Sequence, residues 1–366
     1  MKPMNNRNGD AGRDVDPDLY RRLKALPKIE LHRHLEGSLR LETLAAIADQ
    51  YRMDLPGYGV EDIRPLVQIV PGDEPDASVY LAKFGTLRGF YKSPEIIDRV
   101  AYEAVADAAA ENTVYFELRF TPPALAREKG YSLAEVTDWV IAAVERASRD
   151  FGIMVRLIAS MNRHESVELG HEVVKVAAER LDRGLVAVDL AGAEREYPGD
   201  TFEKVFQEAR EAGLAITIHA GEWAGPESIR LAVEKLGAQR IGHGVRVVED
   251  SDVLQMTLER QIAFEVCPTS NVQSGVVRSY EQHPLRDMYQ IGLLTTLNTD
   301  NTSVGALSLT DEYARAIRYL NFSLDDIKRL ILNAAQAAFL PQREREQLMD
   351  RLEAEFSPAG ESPTSS

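Results

Sequence analysis

Eight short runs of apolar and β-branched residues alternate with long segments rich in Ala, Glu, Arg and Leu, and this alternation constrains the fold more than any other feature of the chain. The runs are KIELHRH (28–34), TVYFELRF (113–120), IMVRLIAS (153–160), LVAVDLAG (185–192), LAITIHAG (214–221), RIGHG (240–244), QIAFEVCP (261–268) and LLTTLNTD (293–300). Strand followed by helix, repeated, implies parallel strands joined by crossover helices. Eight such units in 366 residues fit an α/β architecture of the (β/α)8 barrel type better than an open doubly wound sheet. The first unit is irregular. About eighty residues separate the first run from the second, with helical segments near LETLAAIADQ and ASVYLAKFGTLRGF. An insertion of that length is usually functional. In a barrel it covers the C-terminal face, where active sites are built.

Composition narrows the classes of partner. Asp and Glu outnumber Lys and Arg by 58 to 42, a net charge of −16. Without a basic cluster, the expectation is no nucleic-acid partner and no docking on anionic membrane. The longest stretch free of charged residues, Leu330 to Gln342, is thirteen residues, too short to span a bilayer. No apolar leader precedes Asp18, and the single Cys267 excludes a disulfide framework or a Cys-rich zinc site, so a reducing, cytoplasmic setting is expected. Residues 1–18 and 357–366 read as disordered tails flanking one domain over 19–356.

The polar residues of the runs concentrate at their C-terminal ends: His32 and His34, His219 with Glu222 three residues on, His243, and Asp300. In a barrel those ends converge on one mouth. Residues two apart on a strand share a face, so His32 and His34 can reach one metal while Arg33 points into the barrel wall. Three neutral imidazoles and a carboxylate suit Zn²⁺, and iron, cobalt or manganese would accept the same set. Glu222, in HAGE, follows Gly221 through a tight turn and is a candidate proton shuttle. His243, between two glycines, is a candidate base or electrostatic partner. Gly192 ends the fourth run, where a backbone N–H can approach a ligand. His164, His171 and His283 read as structural, and Cys267 as a buried inert thiol.

At these residues the chain resembles the adenosine deaminase family of metal-dependent barrels. The resemblance runs from about Leu26 to Pro341 and rests on ELHRHLEGSL, YLAKF, AYEAV…VYFELRFTP, VDLAGAE, HAGE, IGHGVR, FEVCPTSN and LNTDN, in the family's order. It implies one zinc held by His32, His34, His219 and Asp300. It implies that Glu222 protonates the purine at N1, and that His243 positions or deprotonates the attacking water. Gly192 would meet N3 and Asn301 would meet N7. His34, Glu36 and the lid residues Leu81 and Phe84 would meet the ribose. The implied substrate is a purine nucleoside, adenosine or 2′-deoxyadenosine. Adenine and aminodeoxyfutalosine are the alternatives within the class, and a non-catalytic purine-binding relative is the alternative outside it. Two positions depart from the family's commonest pattern: Asn301 stands where a second Asp is usual, and Glu36 where Asp is frequent.

Overall fold

A computed structural model describes residues 15–357. Eight strands form a single parallel sheet in sequential order: β1 (Lys28–His34), β2 (Thr113–Phe120), β3 (Met154–Asn162), β4 (Leu185–Ala191), β5 (Ala215–Ala220), β6 (Arg240–His243), β7 (Ala263–Val266) and β8 (Leu294–Leu297). The strands are surrounded by helices, giving the (β/α)8 barrel that the alternation predicts. β7 and β8 are half as long as their sequence runs. After Val266 the chain leaves the sheet, and Pro268 opens a buried helix over Pro268–Gln273. After Leu297 it likewise departs, so Asp300 lies beyond the strand it was expected to end.

That departure closes the barrel. The backbone N–H of Asp300 donates to His32 O and the N–H of His34 donates to Asp300 O, both at 2.8 Å. The Asn298 side-chain oxygen accepts from the Leu31 N–H at 2.9 Å. The seam between last and first strand is therefore made by the residues that carry Asp300, which places its carboxylate beside the two histidines of β1.

The barrel interior is not purely aliphatic. Glu265 of β7 accepts from Arg119 of β2 at 2.5 Å and from Arg240 of β6 at 2.6 Å, and Arg240 also donates to Glu117 at 2.5 Å. All four side chains are buried. Burial favours the neutral acid, but the Arg119 and Arg240 charges hold the Glu265 carboxyl well below the usual range. Truncating one member would strand a buried charge at a cost of about 3–5 kcal/mol.

The first helix, α1 (Pro17–Ala25), corrects the expected tail boundary. Asp16 caps it by accepting the Asp18 N–H, Pro17 sits in its first turn, and Leu23 buries against the core. The remainder of that tail, residues 1–14, lies outside the described residues, as do 358–366 of the C-terminal one. The insertion after β1 folds as α2 (Leu41–Tyr51), α3 (Val60–Val67) and α4 (Ala77–Leu87), before α5 (Pro94–Ala110) leads into β2. Lys83 of α4 donates to Pro65 O of α3 and to Asp73, both at 2.9 Å, tying the lid together. Among the described residues no helix is long and apolar enough to cross a membrane.

Candidate active site

His32, His34, His219 and Asp300 come together at the C-terminal mouth, with one ligand atom from each within 4.8 Å of all the others. The alternation along β1 aims both imidazoles the same way, while Arg33 turns aside to Glu30 and Thr299. Two carboxylates beneath the cluster orient it. Glu265 meets His32 Nδ1 at 2.7 Å, and Asp189 meets His219 Nδ1 at 3.0 Å. A carboxylate on Nδ1 leaves Nε2 as the free ligand atom. His32 Nε2 is indeed buried and makes no hydrogen bond among the described residues. The Nε2 atoms of His34 and His219 face each other at 3.2 Å. Asp300 Oδ1 lies 3.5 Å from His32 Nε2 and 3.4 Å from His34 Nε2, while its Oδ2 accepts from Ser270 at 2.6 Å. Burial lowers the pKa of His34 and of His219, which favours the neutral ligand form. Convergent lone pairs around a carboxylate oxygen fit a divalent cation.

Both His243 and Asp300 adopt left-handed backbone, with φ of 61° and 62°. That conformation is uncommon for residues with a side chain, and it clusters at functional sites. Gly192 has φ 97°, which only glycine adopts readily, and it presents its backbone to the pocket.

Glu222 is buried beside this cluster, its Oε2 3.7 Å from His243 Nε2. Burial, reinforced by the charges of Asp300 and Glu194, pushes its pKa well above the usual carboxyl value. Gly221 makes the turn at φ 64°, and a Cβ there would stand 2.4 Å from Ile229 Cδ1. The turn is held by Glu194, whose carboxylate accepts the backbone N–H groups of Gly221, Glu222, Trp223 and Ala224 at 2.7–3.1 Å. Glu194→Ala leaves those donors without an acceptor in a buried setting, destabilising the protein by at least about 2 kcal/mol. Denaturant unfolding checks this, and wild-type stability would mean the turn is held by other contacts.

A relay behind His243 sets its tautomer. The Leu285 N–H donates to His283 Nδ1, so His283 carries its hydrogen on Nε2 and donates it to Asn271 Oδ1. Asn271 Nδ2 then donates to His243 Nδ1 at 3.1 Å. Neutral His243 therefore bears its hydrogen on Nε2, toward Glu222. Burial, then the neighbouring His32, hold its pKa well below the ordinary value.

A pocket opens above the cluster. His34, Glu36, Leu81, Phe84, Gly192, His219, Glu222, His243, Asp300 and Asn301 all line it, and His32 lies beneath. Glu36 Oε1 accepts the Thr121 N–H at 2.5 Å, while its buried Oε2 has no protein partner. Asn301 Nδ2 donates to the Tyr80 hydroxyl of α4 at 3.1 Å, which keeps one hydrogen for a ligand. His164, which reads as structural in the sequence, is carried into the pocket wall by the loop after β3. His171 does lie on the surface, paired with Glu208 at 2.7 Å. Asp189, Glu194, Glu265 and Asn271 were not foreseen. Asp189 and Glu265 do carry a local signal, a charge inside an apolar run, whereas Glu194 and Asn271 lie in polar segments and carry none.

A parallel eight-stranded barrel with three histidines and an aspartate at its C-terminal mouth is the architecture of a metal-dependent hydrolase. The family model "Adenosine deaminase" matches residues 27–355, and the chain belongs to that family. It is 40% identical over 329 residues to an adenosine deaminase of Klebsiella pneumoniae, covering 90% of this chain and 98% of that one. Among solved structures, an adenine deaminase from Arthrobacter aurescens superposes with a TM-score of 0.83 at 28% identity, covering 90% of this chain and 99% of that one. An amidohydrolase from Burkholderia ambifaria with bound Zn gives 0.85 at 25% identity, covering 94% of each chain.

Proposed function

We propose that the protein hydrolytically deaminates adenosine and 2′-deoxyadenosine to the corresponding inosines and ammonia, with one Zn²⁺ held by His32, His34, His219 and Asp300. The observation that carries this reading is Glu222 buried beside the four-ligand cluster, 3.7 Å from His243 Nε2, in a pocket roofed by α4, where burial favours its protonated form. When bound, zinc supplies a Lewis acid that lowers the pKa of water toward neutrality. Glu222 delivers its proton to N1, so that C6 accepts the attacking oxygen. His243 donates from Nε2 to that oxygen and steadies its charge, and the relay through Asn271 and His283 supports this over a role as base. Asp300 Oδ2, anchored by Ser270, keeps Oδ1 turned to the cluster. Glu222, now a carboxylate, takes the proton of the oxygen added at C6 and passes it to the amino group, so the C6–N bond breaks, ammonia leaves and the C6 carbonyl forms.

Gly192 donates its backbone N–H to N3 and Asn301 its remaining amide hydrogen to N7, a bare acceptor on adenine. The partnerless Oε2 of Glu36 accepts a ribose hydroxyl, with Leu81 and Phe84 covering the sugar. A free base leaves Glu36 without its donor, so adenosine exceeds adenine in kcat/KM at least tenfold, about 1.4 kcal/mol. Ammonia release from the two substrates measures the ratio, and a preference for adenine would show that Glu36 and the lid have been misread. Asn301→Asp retains activity but adds an alkaline loss: the introduced carboxyl must hold a proton to donate to N7, and it loses that proton as pH rises. A pH profile matching wild type would remove Asn301 from purine recognition. A cytoplasmic setting accords with a single, buried cysteine.

A further inference from the structure

Thr269, Ser270 and Asn271 are consecutive residues of the buried helix Pro268–Gln273, and each is tied to a different part of the molecule. Ser270 donates to Asp300 Oδ2 at 2.6 Å, and Asn271 Nδ2 donates to His243 Nδ1 at 3.1 Å. Thr269 is tied the other way, outward to the helix Leu309–Leu320. Its backbone N–H donates to Glu312 Oε1 at 3.0 Å. Its hydroxyl oxygen accepts from Arg315 at 2.6 Å and from the Tyr280 hydroxyl at 3.1 Å. Tyr280 in turn stacks on Tyr319, with ring centroids 5.2 Å apart. Positions 312, 315 and 319 follow helical spacing, so Glu312, Arg315 and Tyr319 share one face of their helix. Glu312 and Arg315 are buried, yet neither lines the pocket.

The helix Pro268–Gln273 has six residues, Pro268 brings no N–H, and no side chain at Cys267 caps it. A helix of that length takes its place from tertiary contacts, and the Thr269 N–H is one of the donors that a helix start leaves without an internal acceptor. Buried charged groups are often neutral or costly for stability relative to apolar side chains of similar volume. The contacts of Glu312 and Arg315 with Thr269 give them another reason to be there.

We propose that Glu312 and Arg315 are positioning residues for the deamination: they fix Thr269, and through Asn271, two residues on, they hold His243 in the tautomer that donates from Nε2. This role rests on the deaminase reading above and deepens it. A shift of Thr269 carries Asn271 with it and breaks the bond to His243 Nδ1. His243 is then free to take the other tautomer, which presents a bare nitrogen to the attacking oxygen in place of a donor. The anchor needs an acceptor rather than a charge. Burial pushes the Glu312 carboxyl up to about 7 against the Arg315 charge, so its neutral form is accessible and a neutral amide can stand in for it.

The test uses zinc-loaded, full-length protein and adenosine. Glu312→Ala lowers kcat on the order of tenfold or more, as loss of a donor to a developing oxyanion does. It changes KM by less than about threefold, because the pocket contacts are untouched. Glu312→Gln keeps the acceptor and recovers most of kcat. In an Asn271→Ala background the relay is already cut, so the further loss from Glu312→Ala shrinks at least threefold. Thr269→Val keeps the side-chain shape but loses the hydroxyl that Arg315 and Tyr280 hold. It gives a kcat loss with the same dependence on Asn271, and it carries the test where Glu312→Ala does not fold. NMR of isotope-labelled histidine reads the His243 ring without turnover: the hydrogen sits on Nε2 in wild type and Glu312→Gln, and is shared with Nδ1 in Glu312→Ala. That redistribution, in protein that deaminates no adenosine, would uphold the anchor and reject the deaminase reading. Wild-type kcat in Glu312→Ala, or losses of equal size in both backgrounds, would overturn the anchor and leave the deaminase reading standing.

Discussion

His219→Ala abolishes tight metal binding and turnover together. His219 reaches the cluster from β5, while the other ligands lie on β1 or at the β8–β1 seam. Its Nε2 is 3.2 Å from that of His34, so losing it opens one whole side of the coordination shell. The substitution also takes away the Nδ1 partner of Asp189, which keeps Arg119 at 3.3 Å and Ser160 at 3.0 Å. The barrel therefore retains a charge partner for that carboxylate, and the expected lesion is in the metal rather than in the fold. Zinc content by elemental analysis after dialysis falls from near one equivalent to near zero, with ammonia release at background. Full zinc occupancy in the variant would remove His219 from the ligand set. A full fold with no zinc and undiminished turnover would instead remove the metal from the reaction.

The second large effect is at Glu222. Glu222→Gln keeps the shape of the side chain and the four backbone anchors that Glu194 provides, so metal content and nucleoside binding persist. What disappears is a transferable proton. An amide can donate a hydrogen bond to N1 but cannot protonate it, and loss of a general acid costs on the order of 10² or more in kcat. The pH profile separates this role from a merely structural one. Burial raises the Glu222 pKa well above the ordinary carboxyl value, and the acid works only while protonated. Wild-type activity therefore declines on the alkaline side as pH rises through that pKa, and the residual activity of Glu222→Gln lacks this limb. Near wild-type kcat, or an unchanged alkaline limb, would assign protonation to another group.

The local pattern of the chain determined the barrel and much of its mouth. Parallel strands joined by helices follow from the alternation of runs, and the shared face of His32 and His34 follows from the two-residue period of a strand. A barrel gathers strand ends whatever their separation in sequence, so the pattern of runs alone brings His219, Glu222, His243 and Asp300 together. The short motifs in family order supplied the candidate substrate contacts. Tertiary structure alone decided what stands behind and beside those residues. Glu265 orients His32 across 233 positions, and Arg240 meets Glu117 across 123. In sequence each is a charge within or at the edge of an apolar run, and nothing local says whether such a charge faces solvent or the barrel axis. That choice is fixed by inter-strand register and by which opposite charge lies across the barrel. The same holds for Glu194 beneath the HAGE turn, for the His283–Asn271 relay that sets the His243 tautomer, and for His164 at the pocket wall. Loop paths carry those side chains to the site, and a path through space leaves no periodic mark in the residues that follow it.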